Sequence, residues 1–318
     1  METENKIKKI FNEYKNMSDH QQGGDDKDKY HPSSFLYIRY NLVDLGARPT
    51  VGDNWQSPDL NVLPMTGGAA AAETTEIVAG RKYRIECKVH NGGDLDAYAV
   101  TVDFFLCNPT LGARVSLCKP LGLVSISVTA HSFNIAYLEW IASSDDVGHR
   151  CLFARAYSFS PADLPLDFDQ LNVYEDRHIA QQNLNVISAI NFLSFNITPM
   201  KMDKGEFAFT IRPAGEHAMK EIAANPVLRK LKLVKGNANS EFKVTSESNK
   251  NLKLRRGKGR IWQGETKKPT EIFSVDLSGI QVKKNEAQAY EVIQVGKDQN
   301  EIRSGISIIV TNPKLGLD

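Results

Sequence analysis

Apolar and polar side chains alternate along Arg81-Lys82-Tyr83-Arg84-Ile85-Glu86-Cys87-Lys88-Val89-His90-Asn91-Gly92-Gly93 until the chain reaches two glycines. Because successive residues of a β-strand point to opposite faces, this stretch has one apolar face and one polar face. The alternation returns at Val100, Val102, Phe104 and Leu106, after a short link rich in Gly and Asp. Two half-buried strands joined by such a link are typical of a β-sandwich.

Short alternating segments continue on both sides of this pair. In the first half they lie at residues 35–40, 58–62, 125–128, 134–141 and 151–157. With no helical pattern between them, they predict a Greek-key sandwich. The second half alternates less regularly, at residues 207–211, 242–245, 252–254, 271–275, 289–295 and 305–310, and residues 215–231 have helical spacing.

Length and composition predict a two-domain globular protein. The chain has 318 residues, of which 41% are hydrophobic and 24% charged, and no apolar run approaches the roughly 20 residues that a membrane helix requires. We therefore expect no membrane insertion. The first residues lack the continuous apolar core of a secretory signal, which predicts a cytoplasmic protein and leaves export by a dedicated machine open.

The predicted fold is all-β, with two tandem immunoglobulin-like β-sandwich domains behind a short N-terminal helical arm. Residues 1–34 are expected to form an amphipathic helix and a flexible polar linker, residues 35–195 the first sandwich, and residues 196–318 a second sandwich-like domain with a helical insertion. The helix prediction rests on the spacing of Ile7, Ile10, Phe11 and Tyr14. Such a short helix needs a surface on which to dock.

Several ordered blocks stand out between residues 35 and 195. They are Trp55-Gln56-Ser57-Pro58-Asp59-Leu60-Asn61-Val62, Val89-His90-Asn91-Gly92-Gly93 with Ala97 and Val100, Trp140, Gly148-His149-Arg150-Cys151-Leu152-Phe153-Ala154-Arg155, and Asp176-Arg177-His178-Ile179-Ala180-Gln181-Gln182-Asn183-Leu184. In this order they resemble the bacterial immunoglobulin-like domains of the CARDB type. The resemblance implies a sandwich that serves adhesion, spacing or accessory interactions and carries no common catalytic residues.

The four cysteines, Cys87, Cys107, Cys118 and Cys151, include no Cys-x-x-Cys pair and are expected to be free buried thiols. A Cys87–Cys151 pair across two sheets is the alternative. Asp163, Asp167 and Asp169 could supply oxygen ligands to calcium, but a solvated turn is the preferred interpretation. We predict no metal, no cofactor and no catalytic residue, because the histidines lack ligand spacing and hydrolase and nucleotide-binding motifs are missing.

Charge divides the chain into opposite halves. Residues 1–200 carry 17 Lys and Arg against 24 Asp and Glu, a net of −7, and residues 201–318 carry 22 against 14, a net of +8. A basic run lies in the second half. It is either a solvated hairpin or a surface for a polyanion, with a neighbouring Trp able to stack on a base. The candidate partner-binding residues are Ile7, Ile10, Phe11 and Tyr14 in the arm and Lys253, Arg255, Arg256, Lys258, Arg260 and Trp262 in this run.

The preferred functional hypothesis is a non-enzymatic structural or adaptor protein that binds other proteins within a cytoplasmically assembled complex. The opposite charges of the halves also permit head-to-tail self-association. One alternative is polyanion or nucleic-acid binding through the basic second domain. Another is an unrecognised hydrolase, or its accessory module, with a site between the domains.

Overall fold

In a computed structural model, almost all of the regular secondary structure of the described residues is β-strand. The structure describes residues 32–66, 69–70, 77–78, 80–108, 110–144, 150–184, 187–188, 194–197, 206–216, 219, 223, 231–237, 240, 242–245, 253–256, 261–265, 273–277, 279–296 and 301–311. Within these residues no helix has the length and apolar character needed to cross a bilayer. The predicted N-terminal helical arm lies outside the described residues.

Twenty-two strands follow one another in the described ranges. The first twelve are β1 Leu36–Tyr37, β2 Leu60–Thr66, β3 Ala69–Ala70, β4 Lys82–Asn91, β5 Ala97–Cys107, β6 Ala113–Arg114, β7 Lys119–Val128, β8 Ser132–Ile141, β9 Arg150–Phe159, β10 Ala162–Asp163, β11 Gln170–Leu171 and β12 Ile179–Leu184, with a 3₁₀ turn at Val115–Leu117. The others are β13 Ile187–Ser188, β14 Ser194–Ile197, β15 Glu206–Pro213, β16 Lys232–Lys235, β17 Lys243–Thr245, β18 Lys253–Arg256, β19 Ile261–Glu265, β20 Phe273–Asp276, β21 Glu286–Val295 and β22 Ile302–Thr311.

The first half is a sandwich of two antiparallel sheets. In the front sheet β4 pairs with β8 along one edge and with β2 and β1 along the other, and β3 extends β2. In the back sheet β5 and β9 are central, β7 lies beside β5, and β12 and β10 lie beside β9. Tyr83, Ile85, Cys87 and Val89 of β4 point into the core between the sheets, as their alternation predicts. The all-β sandwich prediction is therefore confirmed.

The second half contributes a large sheet that covers the outer face of the back sheet. Its strand order is β13-β22-β21-β15-β19-β18, β16 runs parallel beside β21, and β14, β20 and β17 form a smaller sheet. One hydrophobic cluster joins Phe105 and Phe153 of the back sheet to Ile306, Ile308 and other residues of the second half. The central strands β5 and β9 of the back sheet thus form a middle layer with core residues on both faces, while part of β7 stays exposed.

Part of the predicted helical insertion has helical backbone. Glu216, Met219 and Ala223 are helical, and the Met219 amide donates to the Gly215 carbonyl at 3.0 Å. The other residues between Glu216 and Leu231 lie outside the described residues. The boundary predicted near residue 195 stays a prediction.

The cysteine prediction is wrong for one pair and correct for the other. Cys107 at the end of β5 and Cys118 just before β7 form a disulfide. Cys87 and Cys151 are buried free thiols. They do not face each other, because Cys87 lies in the core between front and back sheets while Cys151 lies on the opposite side of the back sheet. Burial raises the pKa of the Cys151 thiol to about 12.

The Cys107–Cys118 disulfide is expected to stabilise the fold. It closes a short loop, with a sequence separation of 11 residues, and chain-entropy arguments assign such a loop about 3 kcal/mol. We expect the Cys107→Ser, Cys118→Ser double variant to lose about this much free energy of unfolding in urea titrations. Reduction of the wild-type protein is the matched control and should reproduce the loss. Equal urea midpoints for the oxidised, reduced and double-variant proteins would show that the Cys107–Cys118 disulfide does not stabilise the fold.

Candidate protein-binding surface

A row of rings crosses the outer face of the front sheet. Tyr37 on β1 is directly opposite His90 on β4, and His90 is directly opposite Phe133 on β8. The ring centroids of Tyr37 and His90 are 5.1 Å apart with a 22° interplanar angle, and those of His90 and Phe133 are 5.7 Å apart. Phe35 continues the row 5.9 Å from Tyr37. Direct cross-strand neighbours on one face thus form a continuous aromatic row.

A buried carboxylate fixes the centre of this row. Asp59 accepts from His90 Nε2 at 2.9 Å and from Arg39 Nε and Nη2 at 2.8 and 2.7 Å. Burial alone would raise the pKa of Asp59, but the hydrogen bonds from Arg39 and His90 outweigh it and hold the pKa below its usual value. The anionic Asp59 therefore orients the imidazole ring between its aromatic neighbours.

The outward side of β8 is exposed and mainly apolar, with Glu139 as its charged member, paired to Lys82 at 2.5 Å. Its side chains Phe133, Tyr137 and Ile141 are 54%, 58% and 65% exposed. Two cations of the neighbouring β4 lie over these rings, with Lys88 Nζ 4.9 Å from the Phe133 centroid and Arg84 Cζ 5.2 Å from the Tyr137 centroid. Aromatic residues and Arg are enriched in protein interfaces relative to the rest of the surface.

The Asn134 side chain links β7 to the start of β8. It donates to the Ser127 carbonyl of β7 at 2.8 Å and accepts from the Ile135 amide of β8 at 2.8 Å. The two strands are therefore held together at this end.

The loop of residues 41–51, here called the aliphatic loop, exposes large apolar side chains. Leu42, Val43, Leu45 and Val51 are 70%, 83%, 76% and 82% exposed. Single exposed apolar residues are common on protein surfaces, but contiguous apolar patches usually mark interaction sites.

Buried polar contacts hold the aliphatic loop in shape. Asp44 accepts from the Tyr40 and Gly46 amides at 3.0 and 2.8 Å, and its two oxygens accept from Arg48 Nη1 at 3.1 and 3.2 Å. Arg48 Nε also donates to the Val173 carbonyl at 3.1 Å. The loop is therefore preorganised, so little conformational entropy is lost when its side chains are covered.

The aliphatic loop packs directly against the aromatic row. Gly46 has φ +88°, a conformation that favours glycine, and a Cβ atom built there would lie 2.5 Å from the Phe35 ring and 3.1 Å from the Tyr37 ring. Loop and row thus form one surface, which we call the apolar surface. Its exposed members are Leu42, Val43, Leu45, Phe133, Ile135 and Tyr137.

The sequence-predicted binding residues lie elsewhere or outside the described range. The arm residues Ile7, Ile10, Phe11 and Tyr14, and Lys258 and Arg260 of the basic run, are outside it. Lys253, Arg255 and Arg256 form β18, of which the structure describes the backbone. Trp262 on β19 is only 7% exposed and stacks on Phe209, with ring centroids 5.5 Å apart. This ring is part of the hydrophobic core, which differs from the exposed base-stacking role considered from the sequence.

The three aspartates considered for calcium have separate partners. Asp163 is buried, unlike the predicted solvated turn, and accepts from Arg177 and from the Leu36 amide. Asp167 accepts from the Asp169 amide, and Asp169 pairs with Arg114. Across the part of the chain that the structure describes, no group of three or more His, Cys, Asp or Glu side chains is arranged to hold a metal ion.

His178 lies between two buried carboxylates. Its Nε2 is 2.9 Å from Asp163 Oδ1 and its Nδ1 is 2.6 Å from Asp176 Oδ1. Burial lowers the pKa of this imidazole, but the hydrogen bonds to Asp163 and Asp176 outweigh burial and the pKa is raised. With both ring nitrogens engaged and 2% exposure, His178 is a hydrogen-bonding residue of the core.

Sequence reasoning missed the apolar surface, although one signal was available. Phe133, Ile135 and Tyr137 alternate with Ala136, Leu138 and Trp140, so β8 is apolar on both faces. This pattern is typical of a strand covered on both sides, and β8 is covered on one side only in the described residues.

Comparisons with known proteins give likenesses in fold. No protein-family model matches the sequence, and no curated protein matches it. The chain is similar to a crystal structure of a CARDB domain from Pyrococcus furiosus in complex with di-metal ions, with 9% identity, a TM-score of 0.28, and coverage of 50% of this chain and 97% of that chain. A solution structure of a CARDB domain from the same organism has 14% identity, a TM-score of 0.25, and coverage of 42% and 97%.

A third similar structure is an enzyme. It is a GH3 β-glucosidase from Bifidobacterium adolescentis, with 11% identity and a TM-score of 0.23, and the match covers 61% of this chain and 20% of that chain. The two CARDB structures are of the domain type that the sequence blocks of residues 35–195 resemble. None of these likenesses assigns a ligand or an activity to this chain.

Proposed function

We propose that this chain is a non-enzymatic protein-binding module that acts as an adaptor or structural component of a larger, cytoplasmically assembled complex. The observation that carries the proposal is the apolar surface, in which a rigid loop and the outward face of β8 each leave large apolar side chains exposed. A partner that covers these side chains removes apolar area from water, which contributes about 1.5–3 kcal/mol for each fully buried large aliphatic or aromatic residue.

The composition of the surface favours a protein partner. Its centre is aliphatic and aromatic, and Lys88 and Arg84 flank it. This matches the apolar core and polar rim of protein interfaces. Two histidines of this part of the fold have structural roles. His90 is held by Asp59, and His178 is enclosed by two carboxylates. These contacts support a binding role over a catalytic one.

The Leu42→Asp substitution is expected to abolish partner binding without unfolding the protein. Leu42 is 70% exposed, so the substitution costs little in the free protein but places a charge in the buried interface of the complex. The measurement is affinity capture from the native cell extract, followed by mass spectrometry and by reassembly of the purified pair.

The matched control is Leu123→Asp, which adds the same charge at a leucine that is 66% exposed on β7 of the back sheet. We expect wild type and Leu123→Asp to capture the same proteins, and Leu42→Asp to lose one or more of them. Capture that is identical for all three, or lost equally for both variants, would contradict a role for the apolar surface.

A further inference from the structure

We propose that Cys107, Cys118 and Cys151 form a thiol–disulfide exchange site, in which the disulfide passes from Cys107–Cys118 to Cys107–Cys151 and leaves Cys118 as a reactive thiol. The three residues belong to the hydrophobic cluster between the back sheet and the second half or pack against it. The apolar surface lies on the outer side of the front sheet. The exchange site therefore stands independently of the proposed function.

Strand register gives Cys107 a second possible partner. Cys107 on β5 is directly opposite Cys151 on β9. The Cα atoms of such direct partners in antiparallel strands lie about 4.5–5.5 Å apart, and a disulfide spans Cα atoms separated by roughly 4.4–6.8 Å. Both side chains are in the same hydrophobic cluster, so they share the outer face of the back sheet. Cys107 is thus placed to bond to either of two sulfurs.

The free thiol of Cys151 adjoins the loop that the disulfide closes. Its Sγ lies 4.0 Å from the carbonyl oxygen of Thr110, a residue between Cys107 and Cys118. The other free thiol, Cys87, is in the separate cluster between the front and back sheets. Cys151 is therefore the thiol that is positioned to attack the disulfide.

The exchange needs no oxidant or reductant. The Cys151 thiol gives its proton to solvent, and its sulfur forms a bond to Cys107 Sγ. The bond between Cys107 Sγ and Cys118 Sγ breaks, and Cys118 leaves with the electron pair and takes up a proton. One disulfide and one thiol are present before and after this step. The new disulfide joins residues 44 positions apart instead of 11, and a longer loop restricts the unfolded chain more strongly.

The two pairings differ in the thiol that a reagent can reach. Cys107 and Cys151 are 3% and 0% exposed, whereas Cys118 is only half-buried, just before β7. Burial raises the pKa of the Cys151 thiol, so little of it is thiolate and the exchange is slow. Once released, Cys118 is the accessible thiol, and it is the site for modification by thiol-reactive electrophiles or small disulfides.

Trapping of the native wild-type protein with N-ethylmaleimide, without any reductant, tests the exchange. Because the reagent reacts irreversibly, the product accumulates even when rearrangement takes hours. We expect peptide mapping by mass spectrometry to find labelled Cys118 together with a Cys107–Cys151 disulfide. The Cys151→Ala variant should lose both products. Cys87→Ala, which removes the other fully buried thiol, is the matched control and should keep them.

The Cys118→Ser variant tests the geometry alone. Oxidised glutathione is the oxidant, and it takes two electrons and two protons from the Cys107 and Cys151 thiols and becomes two molecules of reduced glutathione. We expect a Cys107–Cys151 disulfide, with Cys87 as the remaining free thiol.

The outcomes separate exchange from other routes. Labelled Cys118 that is found in wild type and lost in Cys151→Ala supports the proposal. Unlabelled Cys118 in wild type overturns it, and so does equal labelling in Cys151→Ala, since the disulfide then opens without Cys151. A Cys118→Ser protein that keeps Cys107 and Cys151 as separate thiols or as glutathione adducts also overturns it. None of these results depends on the apolar surface.

Discussion

Replacement of Trp55 by alanine is expected to lower the free energy of unfolding by about 3–5 kcal/mol, the usual cost of truncating a buried aromatic side chain. Trp55 belongs to the first half by sequence but is fully buried among Ala208, Ile293 and Val295 of the second. Its Nε1 donates to Ser307 Oγ at 3.1 Å. The substitution therefore removes both an apolar contact and a hydrogen bond that join the layers.

Denaturant unfolding followed by circular dichroism measures this effect. Trp55→Phe keeps most of the apolar contact and loses the hydrogen bond, so it should fall between wild type and Trp55→Ala. Leu123→Ala on the exposed face of β7 is the control and should change the stability by less than about 0.5 kcal/mol. If Trp55→Ala were as stable as this control, Trp55 would not connect the two layers.

Replacement of His178 by alanine is expected to cost about 3–5 kcal/mol, the usual effect of removing one partner from a buried ion pair. It leaves the Asp163 and Asp176 carboxylates, which are 6% and 4% exposed, without the imidazole between them. His131→Ala is the matched control, because His131 pairs with Asp94 at the surface, where its side chain is 66% exposed. Urea titration at pH 6 should separate the two variants clearly.

The same cluster predicts how stability varies with pH. Since the folded pKa of His178 is raised above 6.5, its stabilisation is complete below about pH 6.5 and is lost as pH rises through the folded pKa. The pKa of Asp176 is lowered because hydrogen bonds from His178 outweigh burial, so its contribution is present above about pH 3.8 and is lost as pH falls through the folded value. A His178→Gln variant should lack the decline above pH 6.5. A wild-type free energy of unfolding that rises with pH above pH 6.5 would contradict the stabilising role of protonated His178.

Much of the fold could be predicted from side-chain periodicity. The strands β4, β5, β8, β9, β21 and β22 lie where alternation or apolar runs placed them, because a two-residue period is a local property. The position of the back sheet as a middle layer depends on residues that are distant in sequence, so periodicity does not reveal it. Phe105 and Cys107 turn away from the sandwich core and belong to a hydrophobic cluster that includes residues more than 90 positions later in the chain. The apolar run Phe104-Phe105-Leu106-Cys107 is typical of a strand covered on both faces, but it does not identify which residues cover it.

The candidate surface could be predicted less well for the same reason. Leu42, Val43 and Leu45 have an ordinary composition for a loop, and their exposure depends on Asp44, Arg48 and Gly46 fixing the backbone. The row of Tyr37, His90 and Phe133 joins three strands that are 53 and 43 positions apart in sequence. Charged runs and ligand spacings are local sequence patterns, and they pointed to residues 250–262. The apolar surface is formed by the register of strands that are distant in sequence, which a local pattern does not reveal.

Site-specific photo-crosslinking tests whether the apolar surface of the front sheet binds another protein. A photoreactive residue is placed at Tyr137 on the surface in one variant and at Tyr98 on the back sheet in another, and adducts formed in the native cell are identified by mass spectrometry. We expect adducts with a second protein from position 137 that disappear when Leu42→Asp is added, and none of these adducts from position 98. The same adducts from both positions, or adducts from 137 that persist with Leu42→Asp, would contradict binding at the apolar surface.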